Sequence, residues 1–235
     1  MKKLIVFPFL LVFLAFQSKA QTLLIDEDFE GATLSVTTYS SSGTGGWARN
    51  SNLSVSGSNS DSAAVQLGDT LFLETQAFDA STSAFMTLEF EHICKIDFFD
   101  QAIVQVSTDN GQNWTSLSSA EYTGSAFFAS GSFSAVSYGI WNIAQPSAVP
   151  TNTWWQKETF NLASFTGNTQ TKVRFALLDA DNNGAVNNYG WLIDDLKITV
   201  ASCELIPLSI AFSGTTYSGL VYTTGPYPVQ ATITD

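Results

Sequence analysis

The chain has 235 residues, of which 9 are Lys or Arg, 21 are Asp or Glu, one is His and two are Cys. A formal net charge of −12 excludes a surface built to hold nucleic acid or an anionic membrane. Charged residues reach only 13%, against roughly 25% in an average soluble domain, while hydrophobic residues reach 45%. The bulk of the chain is therefore not disordered, and Ser, Thr, Asn and Gly supply its polar surface.

Lys2 and Lys3 precede an apolar run from Leu4 to Phe16, and Ser18-Lys19-Ala20 offers small residues around a cleavage point. This is the pattern of a secretory signal over residues 1–20, with a mature chain expected from Gln21. The apolar run is shorter than the ~20 residues that a bilayer requires, and no second run approaches that length, so membrane insertion is not expected. Without Lys2, Lys3 and Lys19, 6 of the 9 basic residues remain beside all 21 acids. The expected location is extracellular, either secreted or attached to a cell surface. Export permits a disulfide. Cys94 and Cys203 either pair or remain two buried thiols, and spacing alone does not decide between them.

In chain order, the acids Asp26, Glu27, Asp28 and Glu30 open the mature chain on an expected first strand. Ser40 to Gly46 reads as a Ser/Gly loop. Ala63–Leu67 and Leu71–Leu73 read as short strands. Met86 to Ile96 alternates, with Met86, Leu88, Phe90, His92, Cys94 and Ile96 on one face, which is the period of a half-buried strand. Ala102, Val104 and Val106 continue the pattern, as do Phe160 and Leu162, then Val173, Phe175 and Leu177. Gly124 to Pro150 is a long irregular stretch. In the last strand, Trp191 and Ile193 share one parity and Leu196, Ile198 and Val200 the other, so the apolar phase slips at Asp194-Asp195. Such a slip predicts a β-bulge.

No window shows convincing helical periodicity, and no internal repeat suggests a propeller or solenoid. Many short strands with turn signals predict an all-β, antiparallel β-sandwich over residues 21–202. Leu208–Phe212 and Val229–Ile233 read as two further strands. Residues 203–235 are expected to be a linker and the truncated start of a second, Ig-like domain.

Four motifs bear on function. Ser107 to Trp114 spells an Asp box, S-x-D-x-G-x-x-W. Asp109 is expected to accept turn N–H groups, Gly111 to supply a positive φ, and Trp114 to pack under the hairpin. Sialidase chemistry does not follow, since the mature chain has one box and only two arginines, Arg49 and Arg174. Asp179-Ala180-Asp181-Asn182-Asn183-Gly184 copies the opening of an EF-hand loop but has Gly190 where the closing Glu belongs. Asp28, Glu30, Asp194 and Asp195 form two acidic groups with a single basic residue, Lys197, close to them in sequence. If the first and last strands are neighbours, these four acids suit a structural calcium. Asp26, Asp28 and Glu30 share the parity seen in laminarinase-like active sites, yet they sit where a central catalytic strand is not expected. Trp141, Trp154 and Tyr138 lie in or beside the long irregular stretch and are the expected ligand-binding aromatics, able to stack on sugar rings. His92 points inward and reads as a hydrogen-bonded core residue.

The order of these pieces resembles a family. Asp28-Phe29-Glu30-Gly31, Trp47, Leu88-x-Phe90-x-His92, Asp100, Tyr122-x-Gly124, Trp155-x-x-Glu158-Thr159-Phe160 and Gly190-Trp191-Leu192-Ile193-Asp194-Asp195 look like the MAM-like jelly-roll domain of secreted bacterial proteins. That domain is attached to immune inhibitor A-like metallopeptidases and is also labelled choice-of-anchor J in Bacteroidetes surface proteins. The resemblance implies a concanavalin-like jelly roll, a structural calcium, and a role in adhesion or carbohydrate contact. It predicts a non-catalytic module whose partner is an extracellular glycan or a surface protein, with further domains of the same polypeptide downstream. The alternative is an accessory domain of a secreted hydrolase, a metallopeptidase or glycosidase, with its catalytic part elsewhere.

Overall fold

A computed structural model describes residues 21–97, 99–128, 130–141, 148–180, 189–202, 207–212 and 215–220. In chain order the strands are β1 (Gln21–Glu27), β2 (Val36–Ser42), β3 (Ala48–Asn50), β4 (Ser60–Ala63), β5 (Thr70–Thr75), β6 (Phe85–Lys95), β7 (Gln101–Ser107), β8 (Thr115–Ser116), β9 (Gln156–Asn161), β10 (Lys172–Leu178), β11 (Gly190–Ala201), β12 (Pro207–Phe212) and β13 (Thr215–Leu220). The alternating run at Met86–Ile96 becomes β6, which pairs with β11 on one side and β9 on the other. The first sheet runs β3-β4-β11-β6-β9, with β1 also paired to β11. The second runs β2-β5-β10-β7-β8. All pairings within the two sheets are antiparallel, giving the expected all-β sandwich.

The inward residues of the two sheets meet in one core. Leu88, Phe90, Trp191 and Ile193 face Leu71, Leu73, Val104, Val173 and Phe175, all at most 1% exposed. Phe90 meets Phe175 edge to face at 4.9 Å across the gap between the sheets. Burial of each such side chain stabilises by about 1.5–3 kcal/mol. Cys94 is a free, fully buried thiol in this core, and burial raises its pKa. Cys203, its partner if the two cysteines pair, lies outside the described residues.

The phase slip at Asp194-Asp195 is a bulge. Asp194 pairs with Glu91 and Lys197 with Glu89, so Asp195 and Leu196 oppose the single residue Phe90. Asp195 takes a positive φ of 47°. Along its other edge β11 is shared end to end. β4 pairs with residues 191–193 and β1 with residues 196–201, and the bulge lies where the two meet. The first and last strands of the sandwich are therefore neighbours.

Three expectations shift. The strand foreseen at Ala63–Leu67 sits earlier, at Ser60–Ala63. The fully buried Asp69 draws the N–H groups of Gln66, Thr44 and Gly45 onto its carboxylate, which folds residues 66–69 into a turn. The acidic opening is not one strand either. β1 ends at Glu27 and the buried Phe29 takes φ 58°, so Asp28 and Glu30 lie past the strand, although Asp26, Asp28 and Glu30 all remain exposed. Ser40 lies in β2, not in a loop.

β12 and β13 form a hairpin containing Leu208–Phe212. Val229–Ile233 and the signal segment lie outside the described residues. Among the described residues no helix is long and apolar enough to cross a membrane.

Candidate functional site

The acids expected to share a cation are drawn to one loop rather than to one another. Glu30 Oε1 accepts the N–H groups of Ser58 and Asn59 at 2.8 and 2.6 Å, and Oε2 accepts Asn59 Nδ2 at 2.9 Å. The Ser58 bond is the main reason its pKa is lowered. Asp194 Oδ2 accepts Val55 N–H at 2.7 Å, and Asp195 Oδ1 accepts Ser56 Oγ–H at 2.9 Å. Asp194 is fully buried, and burial raises its pKa to about 6. Asp28 caps the N–H of Glu30. Among the described residues no three His, Cys, Asp or Glu side chains gather as metal ligands. N–H donors face the oxygens that a calcium ion would need, so this arrangement does not fit the shared ion implied by the sequence. Of the EF-hand-like segment, Asp179 accepts the N–H of Gly68 at 2.6 Å, and residues 181–184 lie outside the described residues.

The expected aromatic ligands close the core instead. Trp141 is fully buried, so its faces are not free to stack on a sugar; its Nε1–H donates to the carbonyl of Trp154 at 3.0 Å. Tyr138 packs edge-on against Trp141 at 4.8 Å and donates its hydroxyl to Glu158 Oε1 at 2.8 Å. Trp154 is half-buried against the core, with the Lys95 ammonium 5.3 Å above its ring.

Beneath them lies a buried polar chain. Trp191 Nε1–H can only donate, so His92 Nδ1 accepts it at 3.0 Å. The imidazole proton is thereby assigned to Nε2, which donates to Glu158 Oε1 at 3.0 Å. Glu158 Oε2 accepts Tyr122 Oη–H at 2.5 Å. Burial lowers the His92 pKa, and protonation would set Nδ1–H against the indole N–H. Gly124 is required beside this chain, because a Cβ there would stand 2.4 Å from Glu158 Oε2.

The Asp box forms the turn between β7 and β8. Asp109 Oδ1 accepts the N–H of Asn113 at 2.9 Å and the hydroxyl of Ser107 at 2.7 Å, and Gly111 has φ 87°. The Asn113 bond leads in holding the Asp109 pKa down at about 2. Trp114 folds back against this turn, its Nε1–H donating to the Gly111 carbonyl at 3.0 Å, and its ring also lies over the Arg174 guanidinium, 4.0 Å from centroid to Cζ.

Trp114 thus belongs to a row across the outer face of the second sheet. Strand register places Tyr39 beside Phe72, and Thr37, Glu74, Arg174, Gln105 and Ser116 in a line. The rings of Tyr39 and Phe72 stack at 4.9 Å. Arg174 lies 4.3 Å from the Phe72 centroid, so its guanidinium is held between two aromatic rings. Its Nε donates to Gln105 Oε1 at 2.7 Å and Nη1 to Tyr39 Oη at 3.2 Å. Tyr39 in turn donates to Glu74 Oε2 at 2.9 Å, and Lys172 pairs with Glu74 Oε1 at 2.7 Å. Tyr39 remains 42% exposed. At the β7/β8 edge the same face runs into a cleft of about 410 Å³ lined by Gln101, Ile103, Ser116, Leu117, Ser118 and Ser130. Sequence reasoning missed Tyr39, Phe72 and Arg174. The available signal was the β-rich run Val36-Thr37-Thr38-Tyr39, which was masked by the Ser/Gly texture that follows it.

No family model matches the chain, so the MAM-like resemblance stands on its motifs alone. No curated protein matches it. Several solved structures are similar to it. The CBM22-1 xylan-binding domain of Paenibacillus barcinonensis Xyn10C is 11% identical, with a TM-score of 0.46, over 80% of this chain and 100% of that one. The K2 cleaved adhesin domain of Lys-gingipain is 18% identical, with a TM-score of 0.47, over 77% of this chain and 99% of that one. The family 11 carbohydrate-binding module of Lic26A-Cel5E from Clostridium thermocellum is 13% identical, with a TM-score of 0.41, over 77% and 95%.

Proposed function

We propose that the chain is a non-catalytic module of an exported protein that holds glycans at a cell surface or in its surroundings, and that it binds them on the outer face of the second sheet. The observation that carries this reading is the row Tyr39, Phe72, Arg174 and Trp114. The C–H faces of a pyranose ring stack on flat aromatic surface, as other apolar faces do. Hydroxyl pairs on its rim exchange hydrogen bonds with fixed side chains, and here Gln105 is fixed by Arg174 and Glu74 by Lys172, the carboxylate accepting and the amide and ammonium groups able to donate. The serine-lined cleft beside them offers hydroxyl partners for the next sugar along a polymer.

The test is affinity electrophoresis and calorimetry on the full chain with soluble β-glucan, xylan, polygalacturonate and alginate. At least one polymer should retard the protein. Tyr39→Ala and Trp114→Ala should each weaken that binding by about tenfold or more, while melting stays within a few degrees of wild type. Asp109→Ala should weaken it less, by loosening the turn that positions Trp114. No retardation by any of the four, or binding indifferent to both aromatic substitutions, would overturn the assignment.

A further inference from the structure

We propose that this face selects carboxylated polysaccharides, the hexuronate class, with Arg174 as the carboxylate receptor. The proposal rests on the glycan-binding reading and deepens it.

Charge pairing is the first observation. Lys157, Lys172 and Lys197 each lie within 4.0 Å of an acid, namely Glu89, Glu74 and Asp26. Among the described residues no carboxylate comes that close to Arg174, nor to Arg49, which donates to the Gly31 carbonyl away from this face, although the chain holds 21 acids against 9 basic residues. Its hydrogen-bond partners, Gln105 and Tyr39, are neutral, so none of its donors is engaged by a carboxylate. The neighbouring Glu74 is already engaged by Lys172 and Tyr39.

Geometry is the second observation. Arg174 Cζ lies 4.3 Å from the Phe72 centroid and 4.0 Å from that of Trp114, so two rings hold the guanidinium in place and narrow the directions from which a ligand reaches it. The Nε–H and one Nη1–H are spent inside the row. Three of the five donors are left, one on Nη1 and two on Nη2, in the planar fork of the guanidinium. A carboxylate is planar and matches such a fork with two parallel hydrogen bonds, whereas a neutral hydroxyl takes one bond and leaves the charge unmet. Hexuronates carry that carboxylate directly on the pyranose ring, so stacking and ion pairing fall within the reach of one sugar. Sulfate esters share the negative charge but are tetrahedral.

The test compares polygalacturonate with the same polymer fully methyl-esterified, which keeps the sugars and removes the charge. Alginate is a second uronate, dextran sulfate a sulfated control and β-glucan a neutral one. Wild type should bind the free acid on the order of tenfold or more tightly than the ester. Arg174→Gln should erase that difference, and Arg174→Lys should restore part of it, since an ammonium keeps the charge without the fork. Equal binding of acid and ester by wild type would overturn the proposal without needing any variant. So would dextran sulfate binding as tightly as the uronates, or an acid preference that survives in folded Arg174→Gln. Binding to β-glucan alone would overturn this proposal and leave the glycan-binding reading standing. Failure to bind any polymer would overturn both.

Discussion

The sandwich carries two clusters in which an ionisable nitrogen group is ringed by aromatics, one on the inner face of the first sheet and one on the outer face of the second. His92 lies among Phe90, Phe133, Trp141 and Trp191, and Arg174 between Phe72 and Trp114. Around His92 the chain is closed at each step. The indole gives a proton to Nδ1, Nε2 gives one to Glu158, and two tyrosine hydroxyls complete the carboxylate. Around Arg174 the partners are neutral and one edge is left over. A network satisfied within itself specifies a single packing, because each member would be expensive to leave unpaired. A network with an unmet donor on an exposed face holds binding capacity in reserve. The same residue types serve the fold in one place and, in the proposed reading, recognition in the other.

The largest effect should come from opening the closed cluster. Glu158→Leu leaves His92 Nε2–H and two tyrosine hydroxyls without their acceptor, and should cost about 3 kcal/mol or more. For a domain of this size that is a fall of roughly 6–12 °C in melting temperature. A loss under 2 °C would mean that the Glu158 acceptor contributes little to the stability of the fold.

Acidity sharpens the same contrast. The folded His92 pKa lies below its ordinary value, so the unfolded chain takes up a proton first as pH falls below about 6.5. The stability that neutral His92 provides is full above that pH and is lost below it. Asp61 and Asp194 act in the opposite sense. Burial raises both to about 6, so their contribution is present at low pH and lost as pH rises through that value. Comparison with His92→Gln, which can still accept from Trp191 and donate to Glu158, isolates the histidine. The stability advantage of wild type over this variant should shrink between pH 7 and pH 5, measured by denaturant titration. An advantage constant with pH would break the assignment of a neutral, sealed imidazole.

The smallest expected effect concerns the corner where Glu30, Asp194 and Asp195 hold residues 55–59. With N–H donors filling these carboxylates, melting temperature should be the same in calcium and in chelator. A rise of several degrees with calcium would mean that carbonyls replace N–H groups at this corner, and that the ion implied by the spacing of the acids is bound after all.

Local chemistry was legible in the sequence, and meetings between distant segments were not. The alternation of Met86–Ile96, the slip at Asp194-Asp195 and the turn around Asp109 each depend on residues a few positions apart, and each is found where the spacing places it. Trp141 looked like a surface aromatic because its loop carries no periodicity. Its burial is decided by His92 and Tyr138, which no local pattern connects to it. The Arg174–Tyr39 contact spans 135 positions and exists only because β10 and β2 both flank β5. Its residues looked unremarkable one by one, and the site arises from their register.

The sharing of the β11 edge has a mechanical consequence. Gln21 pairs with Ala201 and Glu27 with Leu196, so the points where the chain enters and leaves the sandwich lie side by side. Tension applied through those two points would load the β1–β11 ladder as a zipper, one hydrogen bond at a time, rather than shear all of them together. The next strand along the chain is β2, an edge strand of the second sheet, and it carries Tyr39. A load that peels the first strand would thus withdraw Ile25, Phe29 and Val36 from the core and then reach the edge strand that carries Tyr39.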